Sequence, residues 1–149
     1  MTFRRYPALA AAVLASAVAT PASARDEQRL YDIGFVLQSA EGRDRFDDTV
    51  RFHWSGEPLP EGMQSLSIHT SERRTFLPTR TEKDACDQSF LEALAALRDA
   101  ARKAGADAVV DIKSLHKNRE FRSATQYECR LGYFAAGVTL EGKLARLAK

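Results

Sequence analysis

Cysteine and histidine are scarce in this sequence, which excludes the commonest metal and redox sites. Two cysteines and three histidines occur among 149 residues. Cys86 and Cys129 are far apart, so there is no Cys-x-x-Cys motif of the kind that redox-active pairs and zinc sites use. His53, His69 and His116 are equally isolated, and the first two fall on the polar faces of predicted strands. We therefore predict no metal ligand and no redox-active pair.

Motifs for nucleophilic catalysis and nucleotide binding are also missing. The sequence contains no Gly-x-Ser-x-Gly nucleophile motif. The stretch GVTLEGKL, residues 137–144, falls one residue short of a phosphate-binding P-loop, because Leu144 stands where that motif needs a serine or threonine to bind magnesium. The adjacent acids Asp47 and Asp48 are typical of a solvated surface. We therefore predict no catalytic residue, no ATP and no other cofactor, and we do not expect an enzyme.

No hydrophobic run is long enough to span a membrane, but a shorter one predicts a secretion signal. Ala8–Ala19 is apolar and falls short of the roughly 20 residues that a membrane helix needs. The run follows Arg4-Arg5 and precedes Ala22-Ser23-Ala24, a small-residue pattern at which signal peptides are cleaved. We predict that residues 1–24 are a signal peptide.

Cleavage of this signal peptide would fall between Ala24 and Arg25 and release residues 25–149 into the periplasm of a Gram-negative bacterium. General secretion is the predicted route, and the paired arginines leave the twin-arginine route as an alternative. No cysteine stands at the cleavage point to carry a lipid anchor. We expect a soluble or peripheral protein.

The mature chain lacks an excess of either charge. The full sequence has 22 lysines and arginines against 20 acids, and removal of the two arginines in the signal peptide leaves 20 of each. Residues 25–101 carry 10 basic and 15 acidic side chains, whereas residues 102–149 carry 10 basic and 5 acidic ones. This balance argues against a nucleic-acid binder, which usually concentrates a basic surplus. Acidic lipid headgroups or an acidic partner surface would suit the basic part.

Hydrophobic periodicity divides residues 25–149 into the strands and helices of a single domain. Before the longest helix we predict an extended segment over Leu30–Leu37, a short helix from Ser39 to about Phe46, a strand over Val50–Trp54, a loop over Glu57–Gly62 and a strand from Leu66 to about Phe76. After it we predict a strand over Ala106–His116, a turn over Asn118–Ser123 and one long strand over Thr125–Leu144 that is bent at Gly132.

The longest helix is predicted from a capping box at Thr81–Asp84 to a glycine stop at Gly105. Its apolar residues recur at spacings of three and four, which indicates one buried stripe: Phe90, Leu91, Leu94, Leu97 and Ala101. A strand on either side makes a βαβ unit, and a short turn makes the last two strands antiparallel. The predicted fold class is α+β, a mixed, mostly antiparallel sheet of four or five strands with one long helix packed on one face.

The two cysteines are predicted to form a disulfide. Cys86 lies near the start of the long helix, and Cys129 lies in the last predicted strand on the same face as Tyr127 and Leu131. An exported protein with two cysteines most simply joins them. The bridge would close a loop of about 43 residues and stabilise the domain by about 4 kcal/mol in the chain-entropy model. A free or regulatory thiol and a metal ligand are the alternatives.

The stretches ACDQSFLEALAALRDAARKAGADAVVDI, SATQYEC and AAGVTLEGKL resemble a family of short exported bacterial proteins carried under the name excinuclease ATPase subunit. The resemblance covers about residues 27–147 and is most specific from Cys86 onward. The family name implies nucleotide-dependent DNA repair, for which this chain has neither an intact P-loop nor zinc-finger cysteines. The segment from the helix to ADAVVDI is also similar to the core of the Rcs outer-membrane stress-sensor lipoprotein and of YbjQ-like domains once labelled heavy-metal binding. Similarity to the sensor implies a disulfide-braced α+β domain that works by contacting partners.

Two functions are compatible with these features. The first is a non-enzymatic module of the cell envelope that binds an envelope protein or a membrane surface, and neither nucleic acid nor ATP. The second is a small-ligand or metal-binding domain, in which a cleft beside His53, His69 and His116 makes a site.

Overall fold

The computed structural model describes residues 24–149, so the predicted signal peptide, apart from Ala24, lies outside the described residues. The elements in chain order are β1 (Glu27–Asp32), α1 (Ile33–Leu37), α2 (Ala40–Arg45), β2 (Arg51–Trp54), β3 (Gln64–Phe76), α3 (Glu82–Lys103), β4 (Ala108–His116), β5 (Arg119–Phe121), β6 (Gln126–Leu131) and β7 (Ala135–Arg146). No helix among residues 24–149 has the length and apolar character required to cross a membrane.

All seven strands belong to one strongly curled sheet. Strand β7 is its centre, because β3 pairs along the whole of one edge while β4 and β6 share the other edge. Strand β1 then pairs with β6, and β2 and β5 pair with β4. Only the β2–β4 pair is parallel. The predicted α+β class and the mixed, mostly antiparallel sheet are confirmed, whereas the predicted number of four or five strands is wrong.

One additional strand lies where a turn was predicted. Lys117 and Asn118 adopt positive φ angles of 47° and 64° directly after β4. Such angles reverse the chain within two residues, a conformation that asparagine tolerates better than most residues. The chain therefore returns at once as β5, which pairs antiparallel with the end of β4.

The other additional strand results from a reversal at Gly132. The sequence predicted one strand over Thr125–Leu144 with a bend at this glycine, but the segment is two strands, β6 and β7. They pair antiparallel, with Arg130 opposite Gly137. The shift of the apolar pattern at Gly132 thus comes from a hairpin, because a reversal resets which residues face the core. Residues 137–144 lie within β7, as the strand prediction for GVTLEGKL required.

The predicted extended segment Leu30–Leu37 is wrong in its second half. Strand β1 ends at Asp32, whose carboxylate accepts a hydrogen bond from Phe35 N–H at 2.6 Å and caps α1. A short apolar run does not distinguish a helical turn from a strand, so the sequence pattern alone was ambiguous here. The predicted short helix is confirmed as α2, which Ser39 caps through Gly42 N–H.

The longest helix, α3, is confirmed with its caps. Thr81 Oγ1 accepts a hydrogen bond from Asp84 N–H at 3.1 Å, and Gly105 beyond the helix has a φ of 71°, which glycine adopts without strain. The predicted apolar stripe is buried. The helix packs across β3, β7, β4 and β6. The β3–α3–β4 unit has parallel outer strands as predicted, with β7 between them.

The core under α3 contains the predicted disulfide. Cys86 and Cys129 are both fully buried and joined, with 5.8 Å between their Cα atoms. Beside the bridge, Phe90 of α3 stacks between Tyr127 of β6 and Trp54 of β2, with ring centroids 4.3 and 5.9 Å apart. The disulfide therefore connects the first half of α3 to β6 within the apolar interior.

Candidate functional site

Three aromatic side chains are exposed at one end of the sheet, and we call this group the aromatic end: Phe76, Tyr133 and Phe134. Their exposed fractions are 60%, 66% and 69%. Phe76 is the last residue of β3, whereas Tyr133 and Phe134 belong to the turn between β6 and β7. The two segments adjoin, because Leu77 N–H donates a hydrogen bond to Phe134 O at 2.7 Å.

The backbone holds the aromatic end in place. Gly132 N–H donates to Ala135 O at 2.9 Å and closes the turn. Ala135 is in turn opposite Phe76 in the β3–β7 ladder. The sequence neighbours Leu77 and Ala136 are buried, so the interior at this end is filled by them and the aromatic rings remain outside.

A cavity of about 400 Å³ lies beside Phe134, on the face of the sheet that α3 does not cover. Leu115, Phe134 and Ala135 form the apolar part of its wall. The rest of the wall is strongly charged and comprises Arg25, Arg74, Lys117 and Arg130, His116, and the carboxylates of Asp26, Glu72 and Glu128. The aromatic end therefore borders a concave surface that is rich in arginine.

Asp26 contacts three of the basic side chains in this cavity. Its Oδ2 atom accepts a hydrogen bond from Lys117 Nζ at 3.1 Å and lies 2.9 Å from His116 Nε2. Arg130 approaches the other carboxylate oxygen at 3.8 Å. The hydrogen bond from Lys117 and then the contact with His116 hold the pKa of Asp26 below its ordinary value, although partial burial acts in the opposite direction.

The arginines around the cavity differ in their freedom to contact a ligand. Arg25 bonds to Glu82 at 2.6 Å and to Glu27 at 2.7 Å, and these bonds raise its pKa. Arg130 is half-buried against the carboxylate of Glu128 at 2.9 Å. The side chain of Arg74 is 73% exposed and pairs with Glu72 at 2.8 Å. Arg74 is therefore the cation best placed to reach outward beside Phe76.

A second group of charges, around Asp111, serves the fold. Asp111 has a φ of 52° at an irregularity in β4. Its carboxylate accepts hydrogen bonds from Ser55 Oγ at 2.7 Å and from Arg122 at 2.8 Å, and it lies within 4 Å of Lys113 and Lys143. Burial raises the pKa of Asp111, but the hydrogen bond from Ser55 and the surrounding cations outweigh it and bring the pKa below the ordinary value. Within residues 24–149, Ser55 makes no hydrogen bond to a histidine ring. The Ser55–Asp111 pair therefore lacks the base that activates a serine nucleophile.

The structure does not bring the three histidines together. His116 belongs to the cavity of the aromatic end, and His69 lies in a groove between β3 and α3. His53 lines a separate cleft of about 650 Å³ beside Phe46 and Phe52. Its ring is half-buried and its Nε2 atom is buried without a hydrogen-bond partner in the described chain, which corrects the expectation of an exposed His53. No group of three or more histidine, cysteine or acidic side chains in residues 24–149 is arranged to hold a metal ion.

The sequence reasoning missed the residues of the aromatic end. Tyr133 and Phe134 fall within the single long strand predicted over Thr125–Leu144. The available signal was the adjacency of two aromatic residues directly after Gly132, because neighbours in a strand face opposite sides and one of the two must then be exposed. Asp47 and Asp48 were placed correctly at the surface, where Asp47 accepts hydrogen bonds from Thr49 and Arg102.

Comparison with known proteins gives no relative for this chain. No family model matches it, and neither the curated proteins nor the solved structures contain a significant match. The resemblances drawn from the sequence therefore stay predictions.

Proposed function

We propose that this protein is an exported, disulfide-braced module without catalytic activity that binds the anionic surface of a membrane in the cell envelope. The exposed aromatic end beside Arg74 carries the proposal. Aromatic side chains suit the boundary between lipid and water, because the ring enters the apolar layer while polar groups stay hydrated. Arginine side chains at this boundary pair with lipid phosphates. The aromatic end combines both features at one end of a rigid sheet.

The expected strength of this attachment is modest. Complete burial of a phenylalanine side chain contributes about 1.5–3 kcal/mol. Each arginine near an anionic membrane surface adds about 1 kcal/mol. Three partly buried rings and one or two arginines therefore support reversible binding, in contrast to the permanent insertion of a spanning helix.

Export is part of the same proposal, and two features of the fold support it. Arg25 and Asp26 make ion pairs with Glu82, His116 and Lys117, so a chain that began at Arg25 would keep these contacts. The Cys86–Cys129 bridge is of the kind that persists in the oxidising periplasm. We therefore keep the predicted cleavage between Ala24 and Arg25.

Vesicle flotation tests the proposal. Mature protein is mixed with vesicles of phosphatidylethanolamine, with or without phosphatidylglycerol, and the bound fraction is measured. We expect binding only when phosphatidylglycerol is present, and we expect the double variant Tyr133→Ser/Phe134→Ser to bind roughly tenfold or more weakly, as the loss of two inserted rings implies. Leu59→Ser is the matched control, because Leu59 is 48% exposed in the loop before β3, whose first residue pairs at the opposite end of β7 from the aromatic end.

Three results would overturn this function. One is the absence of binding to anionic vesicles, and another is binding that the double variant retains in full. The third is equal loss in the Leu59→Ser control, which would indicate a general effect of surface polarity. Capture of an envelope protein by a photo-crosslinker at Tyr133, without vesicle binding, would assign the aromatic end to a protein partner instead.

The cleft at His53 favours a second candidate, a small-ligand or metal-binding domain. Its aromatic wall and the unpartnered Nε2 atom of His53 supply an apolar surface and one hydrogen-bonding group. A ligand that binds only the folded state must raise the melting temperature. A thermal-shift series with zinc, nickel and copper ions, repeated on His53→Ala, would show a rise that the variant loses if this candidate is correct.

A further inference from the structure

The longest strand of the sheet leaves one edge unpaired. Strand β3 has 13 residues, and within residues 24–149 its only partner is β7. Most of its residues are exposed. The outer edge therefore presents a row of backbone N–H and C=O groups that can pair with another strand.

Protective features are few along this edge. Residues 64–76 contain no proline and no glycine, and the one irregularity of register lies near the start, between Ser65 and Ser67. The formal charges of the strand, Glu72, Arg73 and Arg74, are confined to its last five residues. The regular part from Ser67 to Ser71 is uncharged apart from His69 and can accept a neighbouring strand.

Ser71 points to where a partner would be centred. Its side chain is 4% exposed, and its Oγ atom is buried without a hydrogen-bond partner in the described part of the chain. A buried hydroxyl without a partner is unusual in a folded protein. An antiparallel copy of the strand centred on Ser71 would place a second serine hydroxyl opposite it.

We propose that two copies of this protein pair through antiparallel β3 strands centred on Ser71. In this register Ile68 faces the partner's Arg74. Each contact occurs twice, because a twofold axis relates the copies. Ile68 is 62% exposed in the single chain and would be covered by the arginine stem.

The same register avoids repulsion between directly opposed residues. Glu72 faces the partner's Thr70, and Arg73 faces the partner's His69, so no two formally charged side chains of like sign oppose each other. A second copy of β3 is the expected partner in place of an unrelated peptide, because in this twofold register the same residues supply both sides of every contact.

Space for the second strand is already present under the flank of α3. A groove of about 560 Å³ lies beside His69 and Arg73 of β3, and small residues of the helix form its floor: Ala95, Ala96 and Ala100. Strand residues that alternate with the exposed ones face this helix. The partner's Ser71 and His69 would therefore point into this groove, whose lining also includes the charged helix residues Glu92, Asp99 and Lys103.

Sedimentation velocity and crosslinking test the pairing without membranes, so a failure here leaves the membrane proposal standing. We expect a monomer–dimer equilibrium for the wild-type protein between micromolar and millimolar concentration. Ile68→Lys would place a lysine opposite the partner's Arg74 in each of the two equivalent contacts and shift the protein to monomer. Leu59→Lys, at another exposed apolar residue, is the matched control and should leave the equilibrium unchanged.

A crosslink fixes the register. Ile68→Cys protein mixed with Arg74→Cys protein should be joined efficiently by a short bismaleimide reagent, whereas Ile68→Cys alone should not, since two copies of residue 68 lie far apart in this register. The native cysteines are bonded to each other and do not compete. A wild-type protein that stays monomeric, a dimer that Ile68→Lys does not weaken, or equal crosslinking in both samples would overturn the proposal.

Discussion

At the scale of single residues, two glycines of β7 show how position decides the effect of one methyl group. Gly142 faces the core, and a Cβ atom there would overlap Val109 Cγ1 and come 3.2 Å from Ile112 Cγ1. Gly137 faces the other side of the sheet, where a Cβ atom would lie 3.6 Å from Arg74 Cγ, an ordinary contact. Glycine is thus required at one position and replaceable at the other.

Gly142→Ala is therefore expected to lower the free energy of unfolding by about 1–3 kcal/mol, because overpacking displaces the side chains of β4. The measurement is urea denaturation followed by circular dichroism. Gly137→Ala is the matched control on the same strand and should change the free energy by less than about 0.5 kcal/mol. Equal losses in the two variants would mean that strand conformation, and not the contact with Val109, determines the effect.

At the scale of elements, the first half of α3 is joined to β6 by polar and covalent contacts at the same place. Tyr127 OH donates a hydrogen bond to Asp87 at 2.6 Å, close to the Cys86–Cys129 bridge. Burial, followed by the hydrogen bond to Asp87, raises the pKa of Tyr127 far above its ordinary value. The hydroxyl therefore stays protonated, and able to donate, above the pH at which an ordinary tyrosine ionises.

Removal of the disulfide should weaken this connection without changing the fold. We expect the double variant Cys86→Ala/Cys129→Ala to have a free energy of unfolding lower by about 2–4 kcal/mol, since the open loop gains entropy in the unfolded chain. Urea denaturation of wild type with and without reductant, beside the double variant, measures this. If reductant changes the stability of the double variant as much as that of the wild type, the effect does not come from the bridge.

At the scale of the whole molecule, carboxylates surrounded by cations connect segments that are far apart in the chain. Asp26 connects the start of the described chain to the end of β4 through His116 and Lys117. Asp111 connects β4 to Ser55 beyond β2, to Arg122 beyond β5 and to Lys143 of β7. Both carboxyl groups have lowered pKa values, so the tertiary structure favours their charged forms.

Acid should therefore destabilise the protein in a defined range. A carboxylate whose pKa is lower in the folded protein than in the unfolded chain stabilises the fold above the unfolded-state value, and that contribution is lost as the pH falls through the folded-state value. We expect the free energy of unfolding to be constant at neutral pH and to fall below about pH 4, the ordinary range for aspartate.

Asp111→Asn tests the source of this acid sensitivity. At pH 7 the variant should be less stable by about 1–3 kcal/mol, because hydrogen bonds to a charged acceptor are lost, and its stability should fall less steeply in acid than that of the wild type. Asp48→Asn is the control, since Asp48 is exposed to solvent, and it should leave both the stability at pH 7 and the acid slope unchanged. An unchanged acid slope in Asp111→Asn would show that other carboxylates are responsible.

The sequence alone determined those features of this protein that depend on residues close together in the chain. The boundaries of α3 follow from Thr81, Gly105 and the apolar stripe between them, because caps and helical periodicity act over a few residues. The alternation over β2 and β3 predicted both strands for the same reason. The Cys86–Cys129 pairing was predicted from a count of two cysteines together with the predicted export.

Only the tertiary structure decided the features that depend on distant partners. The apolar pattern around Gly132 suits a bent strand as well as a hairpin, and the pairing of β6 with β1 and β7 selects the hairpin. The exposure of Tyr133 and Phe134, and the ion pairs of Asp26 with residues about 90 positions away, follow from that choice. Local sequence patterns indicate which side chains favour burial, whereas the packing of the whole chain determines which of them are buried.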